Sequence, residues 1–152
     1  MSQEQAQTKQ QGENQQLLEA ILENAQMGEG TLDQLIPLAE EGAFRAEMQR
    51  QRILYHDMAS QAEKCLAAGG AQPKGQSTLA KVSTRVGIRM KTLTDHSTQN
   101  LAQMLSAGSY QGVLDCRKCA TAFADAAPGT KKLLHQLEAF QQDGCKRFEA
   151  FL

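Results

Sequence analysis

The amino-acid sequence predicts an all-α protein, a bundle of four long helices in one domain. Apolar residues recur three and four positions apart along most of the chain, and no stretch alternates as a strand would. The composition is rich in helix formers, has no Trp and includes only three prolines. Turns containing glycine or proline divide the chain, and its 152 residues suffice for one domain with a proper core.

A polar, Gln-rich tail at residues 1–12 precedes the first helix. Ser2 and Gln5 in this tail have the spacing of a capping box. The tail is therefore either disordered or a solvent-exposed extension of the helix, and its composition decides neither way. We expect the single helical-bundle domain to cover residues 13–152.

The first two helices are separated by Gly42. The first is expected over about 13–41, weakened at Gly28 and Gly30 and bent at Pro37, because proline removes a backbone donor and clashes with the preceding turn. We expect one kinked helix or two nearly collinear ones. The second is expected over about 43–68 and ends at the pair Gly69-Gly70.

A shorter amphipathic segment at 77–94 lies between the second and third helices, with its basic residues largely off the apolar face. We interpret it as a crossover helix along the bundle, since about 17 residues at 1.5 Å each cover ~25 Å. The third helix is then expected over about 96–126, capped by Thr94 or Asp95. The fourth is expected from Thr130 to the C-terminus.

This order of helices is the plan of a ferritin-like bundle, in which the chain runs up, down, down and up. Di-iron bundles of this kind carry a Glu-x-x-His pair on each of two helices. The present chain contains no Glu-x-x-His sequence, and no Glu occurs between Asp95 and Asp125. The scaffold is therefore expected without the usual di-iron ligands.

Several strings of the sequence resemble a family of uncharacterised bacterial proteins from Clostridia and related Firmicutes. They are Asn24–Gly28 in the first helix and, around the third, Thr92–Thr98, Ala102–Leu105, Gly108-Ser109 and Gly112–Asp115. The resemblance covers most of the chain, from about Asn14 to Leu152. It implies a ferritin-like bundle, a domain of unknown function, and supplies no catalytic motif.

Charge and composition argue against several classes of function. The chain has 16 Lys and Arg against 17 Asp and Glu, a net charge of −1, and no basic stripe with interleaved aromatics. Nucleic acid is therefore not an expected partner. No signal peptide or membrane-spanning window is recognisable, so no membrane partner is expected either. We expect a cytoplasmic protein whose four cysteines are reduced.

The sharpest local motif is Cys116-x-x-Cys119 in the third helix. Residues three apart share a helical face, so the two thiols could hold a metal ion or form a redox pair, with Cys65 as a third ligand. A structural zinc site needs four ligands, and the fourth is missing here. Two small apolar residues in a reduced core are therefore the favoured interpretation. No cofactor is predicted, and a metal ion is the alternative.

A second candidate is a buried polar site formed by Asp115, His56 and Tyr55. A buried carboxylate needs a cation, a histidine or a proton, and the two residues of the second helix are candidate partners. The favoured interpretation is instead an exposed or half-exposed Asp115 that is paired with its neighbours Arg117 or Lys118, or with water.

Glycines on the first and third helices are the third feature. Gly28, Gly108 and Gly112 carry no side chain, so another helix backbone is expected to pack closely against them. The same glycines could instead open a pocket in the core.

Three functions are compatible with these features. The favoured one is a non-catalytic structural or interaction module, a homodimer whose further protein partner is unknown. The second is a metal- or thiol-dependent site built on Cys65, Cys116 and Cys119 with Asp115 or His56. The third is small-molecule binding in the core of the bundle.

Overall fold

Four long α-helices form most of the part of the chain that the computed structural model describes, residues 2–70 and 93–152. Their bounds are Gln3–Leu35 for α1, Gly42–Ala68 for α2, Thr98–Ala122 for α3 and Pro128–Glu149 for α4. A short 3-10 helix at Ile36–Leu38 joins α1 to α2. No strand occurs in the described residues, and the all-α prediction of four helices is confirmed.

The Gln-rich tail belongs to α1, which begins ten residues earlier than predicted. Ser2 Oγ accepts a hydrogen bond from the Gln5 amide at 3.2 Å, and Gln5 Oε1 accepts one from the Ser2 amide at 3.2 Å. The predicted capping box is therefore present. Side chains at 3–12 are exposed, so this part of α1 is a solvent-exposed extension of the helix.

α1 ends earlier than predicted and does not bend at its proline. Its α-helical hydrogen bonding stops at Leu35, and Pro37 lies in the 3-10 turn that follows. Gly28 and Gly30 do not interrupt it. The expected kinked helix over 13–41 was therefore wrong at its C-terminal end, because the proline terminates the helix there.

Ser97 is the N-cap of α3. Its Oγ accepts a hydrogen bond from the Asn100 amide at 3.2 Å, and Asp95 Oδ1 accepts one from the Ser97 amide at 2.9 Å. The prediction that Thr94 or Asp95 caps this helix was therefore wrong. Asp95 instead holds the N-cap residue in place, because its carboxylate accepts the hydrogen bond from the Ser97 amide.

α2 ends where the sequence predicts, at a pair of glycines. Gly70 has a φ of 78°, the left-handed conformation in which glycine commonly ends a helix. The predicted crossover helix over 77–94 lies outside the described residues except for its last two positions, which are not helical.

Contacts between α1 and α2 pair late residues of one with early residues of the other. Asp33 forms an ion pair with Arg52 at 3.4 Å, and Glu29 contacts His56 at 2.8 Å. These two helices therefore run in opposite directions.

The second pair of helices is oriented by contacts to the first. Asn24 Nδ2 donates to the Gly112 carbonyl at 3.3 Å, and Lys9 pairs with Asp125 at 2.7 Å, so α3 runs opposite to α1. Glu47 of α2 pairs with Arg147 of α4 at 3.3 Å. The Gln51 amide lies 3.5 Å from the carbonyl of Gly144, so α4 runs opposite to α2.

The core lies between the four helices and is mainly aliphatic. Phe44 closes one end, where its ring contacts those of Phe148 and Phe151 at centroid distances of 6.1 and 5.2 Å. No helix in the described ranges is both long and apolar enough to span a bilayer. Other large side chains with almost no exposed surface are Leu17, Ile21, Leu32, Leu35, Met48, Leu101 and Leu137.

Candidate functional site

Polar side chains from all four helices meet inside the bundle, and we call this group the polar cluster. It consists of Asn24, Tyr55, Ser109, Cys116 and Gln141. Gln141 Nε2 donates to Asn24 Oδ1 at 2.7 Å and to the Tyr55 hydroxyl at 3.3 Å. The Cys116 thiol donates to Gln141 Oε1 at 3.5 Å, and Tyr55 is hydrogen-bonded to Ser109. The cluster therefore joins α1, α2, α3 and α4 through one hydrogen-bond network.

Two glycines make room for the polar cluster. A Cβ atom at Gly112 would lie 2.1 Å from Gln141 Nε2, and one at Gly28 would lie 2.5 Å from the Tyr55 ring. Both distances are too short for any side chain. The structure thus gives these glycines a role different from the predicted one, because they admit a buried side chain where we expected the backbone of another helix.

A cavity of about 630 Å³ lies between α1 and α3, beside the polar cluster. Its lining residues on these two helices lie within 20–35 of α1 and 104–119 of α3. Because each range spans 15 residue steps at 1.5 Å, the cavity extends along the helices for about 22 Å. Gly108 borders open space, since no atom of the described residues lies within 4 Å of a Cβ built there. The apolar lining comprises Ile21, Met27, Leu32, Leu35, Met104, Leu105, Leu134, Leu137 and Phe148.

The charged residues that line the cavity lie together at one end. They are Glu23 of α1 and Asp115 and Lys118 of α3, and all three are exposed. Glu23 is close enough to Cys119 to raise the pKa of that thiol. We call this charged end the mouth. The cavity is open to solvent at this charged mouth and also beside Gly108 and Gln111, and it is apolar at its far end, near Leu35.

Burial keeps the titratable members of the polar cluster neutral. Desolvation raises the pKa of the Cys116 thiol to about 12, and the negative charges of Cys119, Glu138 and Asp115 act in the same direction. Desolvation also raises the pKa of the Tyr55 hydroxyl, against the opposing effect of its hydrogen bonds to Gln141 and Ser109. The cluster therefore presents neutral donors and acceptors at neutral pH.

The structure does not bring the predicted cysteine ligands together as a metal site. Cys116 is buried and Cys119 is half-buried, whereas Cys65 is exposed. Burial raises the pKa of both Cys116 and Cys119, which disfavours the thiolate that a metal requires. Within the described ranges, no three His, Cys, Asp or Glu side chains are placed to hold a metal ion.

Only one residue of the predicted site of Asp115, His56 and Tyr55 is buried. Tyr55 lies in the core, at 4% exposure, with its ring edge-on to Phe140. Asp115 is exposed and accepts a hydrogen bond from Gln111 at 3.1 Å. His56 is also exposed and pairs with Glu29. Asp115 and His56 therefore do not join Tyr55 in a buried site. Asp115 is exposed, as the favoured interpretation expected, and its partner is Gln111 rather than Arg117 or Lys118.

Sequence reasoning overlooked three members of the polar cluster: Asn24, Ser109 and Gln141. The signal was available, because Gln141 lies four residues after Leu137 and therefore on the apolar face of its helix. Asn24 lies three residues after Ile21 in the same way. A polar residue on an apolar stripe marks a buried hydrogen-bond partner.

Comparisons of the chain with protein-family models, with curated proteins and with solved structures found no match. The cavity and the polar cluster are therefore the features from which function is inferred.

Proposed function

We propose that the protein binds a small, largely apolar molecule in the cavity between α1 and α3. The observation that carries this proposal is the cavity itself, about 630 Å³ of elongated space with mainly aliphatic walls and one group of oriented polar side chains. Ligand sites in proteins are typically concave, apolar and a few hundred cubic ångströms in volume, with few polar groups that orient the ligand.

Packing energetics support the same conclusion. Protein cores are close-packed, and voids larger than a water molecule are few. Atoms that line an empty apolar space lose dispersion contacts, so such a space lowers stability unless something fills it. In this bundle the space is bordered by Gly108, an exposed position where an added Cβ would meet no atom of the described residues within 4 Å. A bound ligand would fill this space and supply the missing dispersion contacts.

The chemistry of the polar cluster favours binding over catalysis. Its thiol and its phenol both keep their protons at neutral pH, so neither is an activated nucleophile or a general base. Asn24, Ser109 and Gln141 supply neutral hydrogen-bonding groups. We therefore propose a non-catalytic binding module.

We also propose that the bundle is ferritin-like, with the up-down-down-up order. The opposite directions of α1 and α2, of α1 and α3, and of α2 and α4 support this order. The crossover helix, the Firmicutes family, the cytoplasmic location and the homodimer stay predictions. A light-scattering mass equal to one chain over a wide concentration range would count against the homodimer.

Titration with N-phenylnaphthylamine, a neutral fluorophore that brightens in apolar sites, tests the binding proposal. The wild-type protein should show saturable fluorescence. Gly108→Leu should weaken it, because Gly108 lines the cavity and a leucine side chain there would take up part of its space.

Gly12→Leu is the matched control for this titration. Gly12 also lies within a helix with nothing near its Cβ, but it does not line the cavity. Both substitutions gain similar helix propensity, so only the loss of cavity space distinguishes them. Equal binding by Gly108→Leu and Gly12→Leu, or no saturable binding by the wild type, would overturn the proposal.

A further inference from the structure

We infer that the ligand is a single-chain amphiphile whose head group donates hydrogen bonds, a long-chain alcohol or amine rather than a carboxylate. This inference rests on the proposed binding function and adds the chemical class of the ligand. Three independent features of the cavity carry it: its shape, the hydrogen-bonding state of the polar cluster and the charge at the mouth.

The shape of the cavity fits one extended chain. The space follows α1 and α3 for about 22 Å and is polar only toward one end. Beyond the polar cluster its walls are the aliphatic and aromatic side chains of Leu32, Leu35, Met104, Leu105 and Phe148. A molecule that fills it therefore has a long apolar part at this end and a polar part near the mouth.

The amide donors of the polar cluster are already used inside the protein. Gln141 Nε2 donates to Asn24 Oδ1 and to the Tyr55 hydroxyl. Asn24 Nδ2 donates to the Gly112 carbonyl at 3.3 Å and contacts Cys116 Sγ at 3.7 Å. The amide nitrogens thus have no hydrogen left for a ligand.

The amide acceptors of the cluster are only half used. An amide oxygen accepts two hydrogen bonds. Asn24 Oδ1 receives one, from Gln141, and Gln141 Oε1 receives one weak bond, from the Cys116 thiol. Both side chains line the cavity. The two hydroxyls of Tyr55 and Ser109 bond to each other and leave one hydrogen, whereas the two amide oxygens and the hydroxyl oxygens leave several acceptor positions. The cluster therefore offers a ligand more acceptors than donors, which suits a hydroxyl or amino head group.

The charged residues at the mouth also disfavour a carboxylate head group. Glu23 and Asp115 directly precede members of the polar cluster in sequence and line the same end of the cavity. Among the lining residues that the structure describes, Lys118 is the one cation, against the two carboxylates of Glu23 and Asp115. These two carboxylates would repel a carboxylate head group and attract an ammonium head group.

Competition between matched ligands tests the head group. Dodecanol, dodecylamine, dodecyl methyl ether and dodecanoate have the same alkyl chain. Each is used below its solubility limit or micelle-forming concentration to displace N-phenylnaphthylamine from the 152-residue protein. The alcohol and the amine should compete about three- to tenfold more strongly than the ether and the carboxylate, as one net hydrogen bond allows.

A pair of charge variants tests the mouth. The double variant Glu23→Gln with Asp115→Asn should weaken dodecylamine severalfold and leave dodecanol unchanged. Asp57→Asn removes an exposed carboxylate that does not line the cavity and should change neither.

The outcomes separate this inference from the binding proposal. Dodecanoate or the ether competing as well as dodecanol would overturn the head-group assignment while the cavity remains a binding site. Failure of the probe and of all four ligands to bind the wild type would overturn both. Competition that is as strong in Gly108→Leu as in the wild type would show binding elsewhere and would also overturn both.

Discussion

At the scale of single residues, Gly108 and Gly112 lie about one turn apart on α3 and have opposite surroundings. A methyl group at Gly112 would overlap Gln141, so Gly112→Ala should destabilise the protein by about 1–3 kcal/mol. Gly108→Ala meets nothing and should stabilise it by about 0.5–1 kcal/mol through helix propensity. Urea unfolding of the two variants measures the difference, and equal effects would contradict the structure.

A double variant shows whether the cost at Gly112 comes from Gln141. Truncation of Gln141 to Ala removes the atoms that a methyl group would overlap. Gly112→Ala combined with Gln141→Ala should therefore be less destabilised than the sum of the two single variants. If the losses in free energy of unfolding of the two single variants simply add in the double variant, the cost at Gly112 does not come from overlap with Gln141.

The buried thiol of Cys116 gives stability a dependence on alkaline pH. Its folded pKa of about 12 exceeds the ordinary value of 9.0. Between these values the unfolded state has lost the proton that the folded state keeps, so stability falls as pH rises.

Unfolding by urea at about pH 8 and about pH 10.5 measures this effect. The free energy of unfolding should fall between the two conditions, and it should fall less in Cys116→Ala. Cys65→Ala, which removes an exposed thiol, serves as the control. An identical fall in Cys116→Ala and wild type would contradict the assignment.

The sequence predicts the burial of a side chain correctly where that burial depends only on the side chain's position on its helical face. Tyr55 and Cys116 lie on predicted apolar stripes and are buried. Asp115 and His56 lie at stripe edges, and both are exposed, in contact with Gln111 and Glu29. Such pairings depend on which side chains neighbouring turns and helices bring close, and spacing along one helix does not specify them.

At the scale of elements, Ser97 is the residue that fixes the start of α3. Ser97→Ala should cost about 0.5–2 kcal/mol, because the Asn100 amide loses its acceptor. Thr94→Ala removes one of the caps that the sequence predicted, at an exposed position, and should change stability by less than about 0.5 kcal/mol. Thermal unfolding compares the two, and a larger loss in Thr94→Ala would restore the predicted cap.

Periodicity predicts the existence of each helix better than its ends. The apolar stripes identified all four helices, since burial of one face is what stabilises them. The ends depend on competition between local hydrogen bonds. Ser97, Asp95 and Thr94 are all cap-forming residues, and the sequence alone does not say which one turns its side chain to the helix. At Pro37, where the sequence predicts a bend in α1, the α-helix has already ended and a 3-10 turn follows.

At the scale of the whole molecule, the cavity is a property of the distance between two helices. The glycines on α1 and α3 indicate that side chains are absent there, and the sequence allowed either close packing or an open core. Gln141 and Tyr55 fill the space at Gly112 and Gly28, whereas in the described part of the chain nothing lies within 4 Å of a Cβ at Gly108. That difference arises from how four helices pack together, so it appears only in the assembled bundle.

Nuclear magnetic resonance of the wild-type protein with dodecanol tests the central claim most directly. Intermolecular nuclear Overhauser effects should connect the alkyl chain to methyl groups of Leu32, Leu35 and Leu105, and saturable shifts should reach the Gln141 side-chain amide. Gly108→Leu should weaken both. Saturable contacts confined to the surface around Tyr110 and Leu152, or no saturable contacts, would contradict binding between α1 and α3.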